Sequence, residues 1–168
     1  MNAGLLVARA VLGFLMAAHG AQKLLGWFGG HGLAGTAGFF ESLGFRPGKA
    51  FAVVASLTEL GSGLLVALGL LGPLGPAGML AVMVVAAGSV HWKNGVFAMS
   101  NGIEVPLLYG TGAAALALTG PGAYSLDRLL GLSVIWTPTM TLGALALGLA
   151  GGAFNLALRR PAVSAPAA

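Results

Sequence analysis

Apolar residues run along this chain in five blocks of membrane-spanning length, separated by segments that hold most of its charge. The blocks are Gly4–Leu25, Ala50–Leu71, Leu74–His91, Glu104–Gly120 and Met140–Leu158. A helix of about 20 apolar residues crosses a bilayer, so each block is predicted as a span, the fourth a short one ending at Pro121. Gly72, Pro73, Leu74, Gly75 and Pro76 form a tight turn between antiparallel helices. The segment Gly26–Lys49 contains Trp27, Phe28, Phe39, Phe40 and Phe45, too aromatic for a solvated loop. Within it, Thr36–Gly44 is predicted as a short interfacial helix. In Tyr124–Leu132, Ser125 is a plausible N-cap before Leu126, Leu129 and Leu130, which predicts a second surface-lying helix.

The predicted fold is therefore an all-α integral membrane helical bundle, with a four-helix core and an appended fifth C-terminal transmembrane helix. Residues 1–132 make the four-helix membrane domain with its interfacial segments, residues 133–160 the additional helix, and residues 161–168 a disordered tail. The first block has no basic region before it and is interrupted by Arg9, so it reads as an uncleaved span, not a signal peptide.

The polar positions inside the spans carry more information than the apolar ones. At 100° per residue, Arg9, His19 and Lys23 fall within an arc of about 80° on the first span, with Gly13, Met16 and Gly20 in or beside it. Cations in a bilayer face a bundle interior, a cavity or an acid. Glu59 sits near the middle of the second span, flanked on its face by Ala52, Ala55, Ser56, Ser62 and Gly63, which let another helix approach. His91, Trp92 and Glu104 lie at helix ends on the same side as Lys23.

Composition narrows the classes. Of 168 residues, 57% are hydrophobic and 7% charged, which excludes an ordinary soluble domain, and the 29 glycines suit close helix packing in lipid. With no cysteine there is no disulfide, c-type haem attachment, Cys-ligated iron–sulfur cluster or thiol nucleophile. No metal site, flavin or nicotinamide motif, P-loop or nucleophile elbow is present. The net charge of +4 reports topology and anionic lipid, not nucleic acid. With five spans, Lys23, Arg46, Lys49, Lys93, Arg159 and Arg160 share one side, and Arg9 and Arg128 the other. The positive-inside rule then puts the N-terminus outside and the C-terminus in the cytoplasm.

The candidate residues each have more than one reading. Glu59 is a proton carrier or head-group partner, or it pairs with Arg9 or Lys23 to lock the bundle. His19 and His91 are quinone or proton partners, haem b ligands, or interfacial histidines; no spacing motif supports haem b. Arg9 faces the interior or snorkels to the head groups. The tryptophans and tyrosines read as an aromatic belt, Asp127 and Arg128 as a solvated pair, and Gly148 with Gly152 as a packing or dimerisation motif.

Taken in order, several of these features resemble the DoxX family of small bacterial membrane proteins. They are Arg9, Gly13, His19, Gly20 and Lys23; Leu25 to Gly30; Gly35, Phe39, Phe40, Leu43 and Gly44; Glu59 and Gly63; Gly69 to Gly72; His91, Asn94, Gly95 and Phe97; Gly102 and Glu104; and Gly122 to Arg128. The resemblance implies a four-helix bundle, from which the fifth span departs, in a bacterial plasma membrane. It also implies a link to quinone-dependent oxidation or oxidative stress. On this reading His19, Glu59 and His91 are the candidate catalytic groups. Arg9, Lys23, Trp92 and Glu104 are candidate ligand-binding groups for a quinone or similar molecule; of the candidates, His19, Lys23, Glu59, His91 and Glu104 are expected to converge in the cytoplasmic half of the bundle, with Arg9 near its outer end. Electrons would come from a redox partner or directly from a substrate, and a homo-oligomer is compatible. The rival readings are a proton or small-solute transporter and a non-catalytic anchor or assembly subunit.

Overall fold

The computed structural model describes residues 2–160. The predicted tail, 161–168, lies outside the described residues. The helices are α1 (Asn2–Leu25), α2 (Gly32–Ser42), α3 (Gly48–Leu68), α4 (Leu74–Ala86), α5 (Glu104–Thr119), α6 (Leu126–Leu129) and α7 (Pro138–Ala157). Beyond Ala86, α4 continues through a π-helical turn, Ala87–His91, and a 3-10 turn, Trp92–Asn94. Its whole length, with α1, α3 and α7, is long and apolar enough to cross a membrane. At 16 residues, α5 is about 24 Å long, the short span the sequence predicts.

Helix α1 lies along α3, α3 along α4, α4 along α5, and α5 returns to α1. That closes a four-helix ring, and α7 packs outside it against α4. The protein is thus an all-α membrane bundle of four core helices and an appended fifth.

Small residues set the closest approach. A Cβ on Gly13 would strike the backbone of Gly63 and Ala67, one on Gly20 the backbone of Leu60, and one on Gly63 the backbone of Ala17. In lipid, where burying apolar groups drives little, such backbone contact supplies much of the association. Gly148 and Gly152 do the same for α7, lying against the backbone of Ala77 and Ala81 of α4. The glycine pair therefore serves packing within the chain. Between the two ends of the bundle, Met16, Val66, Met79, Ala113 and Leu116 form a buried apolar core.

Chain direction alternates, so Asn2, Leu68, Thr119 and Pro138 lie at one end of the bundle and Leu25, Gly48, Glu104 and Ala157 at the other. The second end is tied by Arg159 Nε donating to the Leu43 carbonyl (2.9 Å) and Arg160 N–H to that of Gly44 (2.8 Å). Predicted interfacial helix α2 is present but starts earlier, at Gly32. Its Phe40 joins Phe45 and Ala52 in a second buried cluster.

At the first end the sequence reading needs correction. Asp127 is no solvated partner of Arg128: it is fully buried. Its carboxylate accepts from the backbone N–H of Leu71 (2.8 Å) and Gly72 (2.7 Å) and from the Trp136 indole (3.0 Å). Leu71 and Gly72 both have positive φ, 59° and 50°. Their N–H groups converge as an anion-binding concavity, which Asp127 fills. Trp136 is thereby a latch between the start of α7 and the α3–α4 turn. Ser125 does cap α6, accepting from the Arg128 N–H (3.2 Å).

Candidate functional site

The polar residues of the spans divide between the two ends of the bundle. Arg9 and Lys23 are fourteen residues apart on α1, about 21 Å along the axis.

At the α1 C-terminal end, α1 and α3 are held together by an ion pair between Lys23 Nζ and Glu59 Oε1. Glu59 is 2% exposed and Lys23 is 34% exposed. Gly20 and Gly63 bring the two helices close enough for the pair to form. Thr36 of α2 covers the end of α1 by donating to the Lys23 carbonyl (3.1 Å). The other Glu59 oxygen, Oε2, is buried with no hydrogen-bond partner.

That pair borders a crevice of about 120 Å³ between α2, α3, α4 and α7. Its walls are apolar: Phe39 and Phe40 from α2, Phe51 from α3, Val82 and Val85 from α4. On the α7 side Gly151 and Gly152 keep it open, and Asn155 adds one amide. The π-helical turn of α4 borders it at Ser89, whose hydroxyl is spent on the Val85 carbonyl (2.6 Å). π turns widen the backbone ladder and are frequent beside functional sites. A buried carboxylate oxygen and an ammonium group thus stand at the edge of a membrane-depth apolar slot. The arrangement can hold a polar head group between charge and aromatic wall, and exchange a proton with it.

The other sequence candidates do not converge on this pair. His19 is exposed on α1, with Nδ1 3.2 Å from Gln22 Oε1 and its ring edge-on to Tyr109 of α5 at 6.2 Å. Tyr109 is partly buried and packs against the apolar core as well as His19. His91 Nδ1 meets the Asn101 carbonyl at 2.8 Å. Glu104 accepts from the Ala98 N–H at 2.7 Å. Both order the α4–α5 connection, and Trp92 beside them is 73% exposed. Among the described residues, no three His, Cys, Asp or Glu side chains stand close enough to hold a metal ion.

Arg9 lies at the opposite end, 2% exposed, so it does not snorkel. One terminal nitrogen donates to the Tyr124 carbonyl. The sequence names Arg9 as a candidate ligand-binding group but does not reveal the space around it, which arises from residues distant in the chain.

The family model described as DoxX matches residues 4–92. The chain belongs to the DoxX family. The matched stretch carries Arg9, His19, Lys23, Glu59 and His91, so it spans the ion pair and both ends of α1. This DoxX chain is also 34% identical over 134 residues to a protein of Escherichia coli K12 named "Inner membrane protein YqjF". The alignment covers 77% of the chain and 93% of the relative. No solved structure matches it.

Proposed function

We propose that this DoxX protein is the membrane subunit of a quinone-linked oxidoreductase system, with a quinone head group docking at Lys23 and Glu59. The observation that carries this reading is the free Glu59 Oε2, buried beside Lys23 and bordering an apolar, aromatic-walled crevice. A quinone needs that combination: a cation or donor for a carbonyl oxygen, a carboxyl to move the proton that accompanies reduction, and apolar walls for the ring. A cavity of ~150 Å³ holds a benzene ring, so a crevice of about 120 Å³ that opens between helices suits one ring edge. Electrons would come from a partner protein or directly from a substrate.

The proposal centres on Lys23 and Glu59; His19, His91, Trp92 and Glu104 do not line the crevice. The relative's name and the Lys/Arg distribution support a plasma (inner) membrane location. They also favour an orientation with the N-terminus outside, the crevice in the cytoplasmic half and the C-terminus cytoplasmic. The buried apolar residues Met16, Met79 and Ala113 between the two ends favour binding over transport, which needs a path between them.

The test is equilibrium binding of tritiated decylubiquinone to the full chain in nanodiscs. Glu59→Gln and Lys23→Met each weaken binding by about tenfold, the worth of one charge-assisted hydrogen bond. Equal binding by both variants and the wild type, or none by any, rejects the proposal and favours an anchoring role.

A further inference from the structure

The end of the bundle opposite the ion pair holds a larger space than the quinone crevice. It is a cleft of about 620 Å³ between the last turns of α3 and α5, the first turn of α4 and the start of α7. Most of its wall is apolar, including Leu65, Pro73, Pro76 and Leu116. Two cations line it, Arg9 from α1 and Arg128 from α6, and no carboxylate does.

Arg9 is built into this position. A side chain on Gly69 would overlap its guanidinium, so the glycine that ends α3 provides the space. The guanidinium spends one nitrogen on the Tyr124 carbonyl, while Nε and Nη1 are buried with no acceptor. Asp127, a nearby acid, offsets part of its charge but makes no hydrogen bond to it; its oxygens accept from Leu71, Gly72 and Trp136. A buried cation with unsatisfied N–H groups is costly unless an acceptor is provided. A guanidinium carries five donors suited to oxyanions, and phosphate oxygens can take several at once.

We propose that this cleft is a second ligand site, separate from the Lys23–Glu59 crevice, that binds a phosphate-class oxyanion on Arg9. The apolar wall takes the organic part of the ligand, and Arg128 at the surface attracts it. Such a group comes either from a membrane lipid head group or from a soluble phosphate compound. Neither depends on the quinone reading.

The experiment is thermal unfolding of the detergent-purified full chain, followed by circular dichroism, with inorganic phosphate and dihexanoyl phosphatidylglycerol as probes. Wild type is compared with Arg9→Gln and with Ser133→Trp, which fills the cleft from the exposed turn between α6 and α7 without touching the core. A saturable rise in Tm is expected with at least one probe, its apparent Kd weakened by about tenfold or more in both variants. A rise with phosphate identifies a soluble anion. A rise with the lipid analogue alone identifies a head group. No rise in wild type with either probe, or the same response in wild type and Ser133→Trp, overturns the proposal. Should Arg9→Gln fail to fold, Ser133→Trp decides it.

Discussion

Replacing Asp127 with alanine tests whether a side chain in a four-residue helix holds the far end of the bundle together. In the native chain its carboxylate receives three N–H groups at 2.7–3.0 Å. Hydrogen bonds to a charged group contribute about 1.5–3 kcal/mol each, and a stranded buried donor loses a comparable amount. Leu71 is 38% exposed, so water recovers part of the loss at that N–H. The net destabilisation is then about 3 kcal/mol. At roughly 2–4 °C per kcal/mol for a chain of this size, Tm falls by about 6–12 °C. Asp127→Asn keeps one acceptor oxygen and loses about half as much. Arg128→Ala, next door but exposed, moves Tm by about 2 °C at most. With no cysteine available for thiol dyes, circular dichroism and tryptophan emission are the suitable probes, and Trp136 reports directly on the latch. If Asp127→Ala and Arg128→Ala melt within a degree of wild type, the latch contributes no stability and the reasoning from burial is refuted.

Further expectations follow from the packing. Lys23→Met leaves Glu59 buried without its cation and costs about 2–3 kcal/mol, whereas Lys23→Met with Glu59→Leu recovers most of it; a double-mutant cycle on Tm measures the difference. Gly20→Leu, which would drive a side chain into the backbone of Leu60, abolishes the α1–α3 contact and is seen as loss of the monodisperse peak in size-exclusion chromatography. Gly148→Leu pushes α7 off Ala77 of α4 while leaving the ring intact, and shows as faster tryptic cleavage after Arg159. His91→Ala removes one bond in the α4–α5 connection and shifts decylubiquinone affinity by about twofold or less, the scale of a sub-kcal/mol change.

What was legible in the sequence was whatever hydropathy and helix geometry control. The five blocks became α1, α3, α4, α5 and α7, with ends shifted by a few residues, because span length and turn chemistry are local. The small residues around Glu59 correctly signalled a close helix neighbour. The partner was one of two cations open to it, and only the three-dimensional approach at Gly20 and Gly63 selects Lys23. Asp127 was misread because an acid beside an arginine in a polar stretch looks solvated. Its true partners, Leu71 and Gly72, are more than fifty residues away and offer backbone groups that no side-chain pattern reveals. The same reason hid the Arg9 cleft, whose walls come from five separate segments. His91 and Glu104 looked like ligands by residue type, yet turn geometry uses them for backbone groups close in sequence.

The most direct measurement is photolabelling of the nanodisc-embedded chain with an azido-quinone, followed by mass spectrometric mapping. The account predicts label on Phe51–Glu59 of α3 and Ala81–Val90 of α4, competed by decylubiquinone and lost in Glu59→Gln. Label spread over lipid-facing residues such as Leu147 and Val7, uncompeted and unchanged in Glu59→Gln, would contradict it.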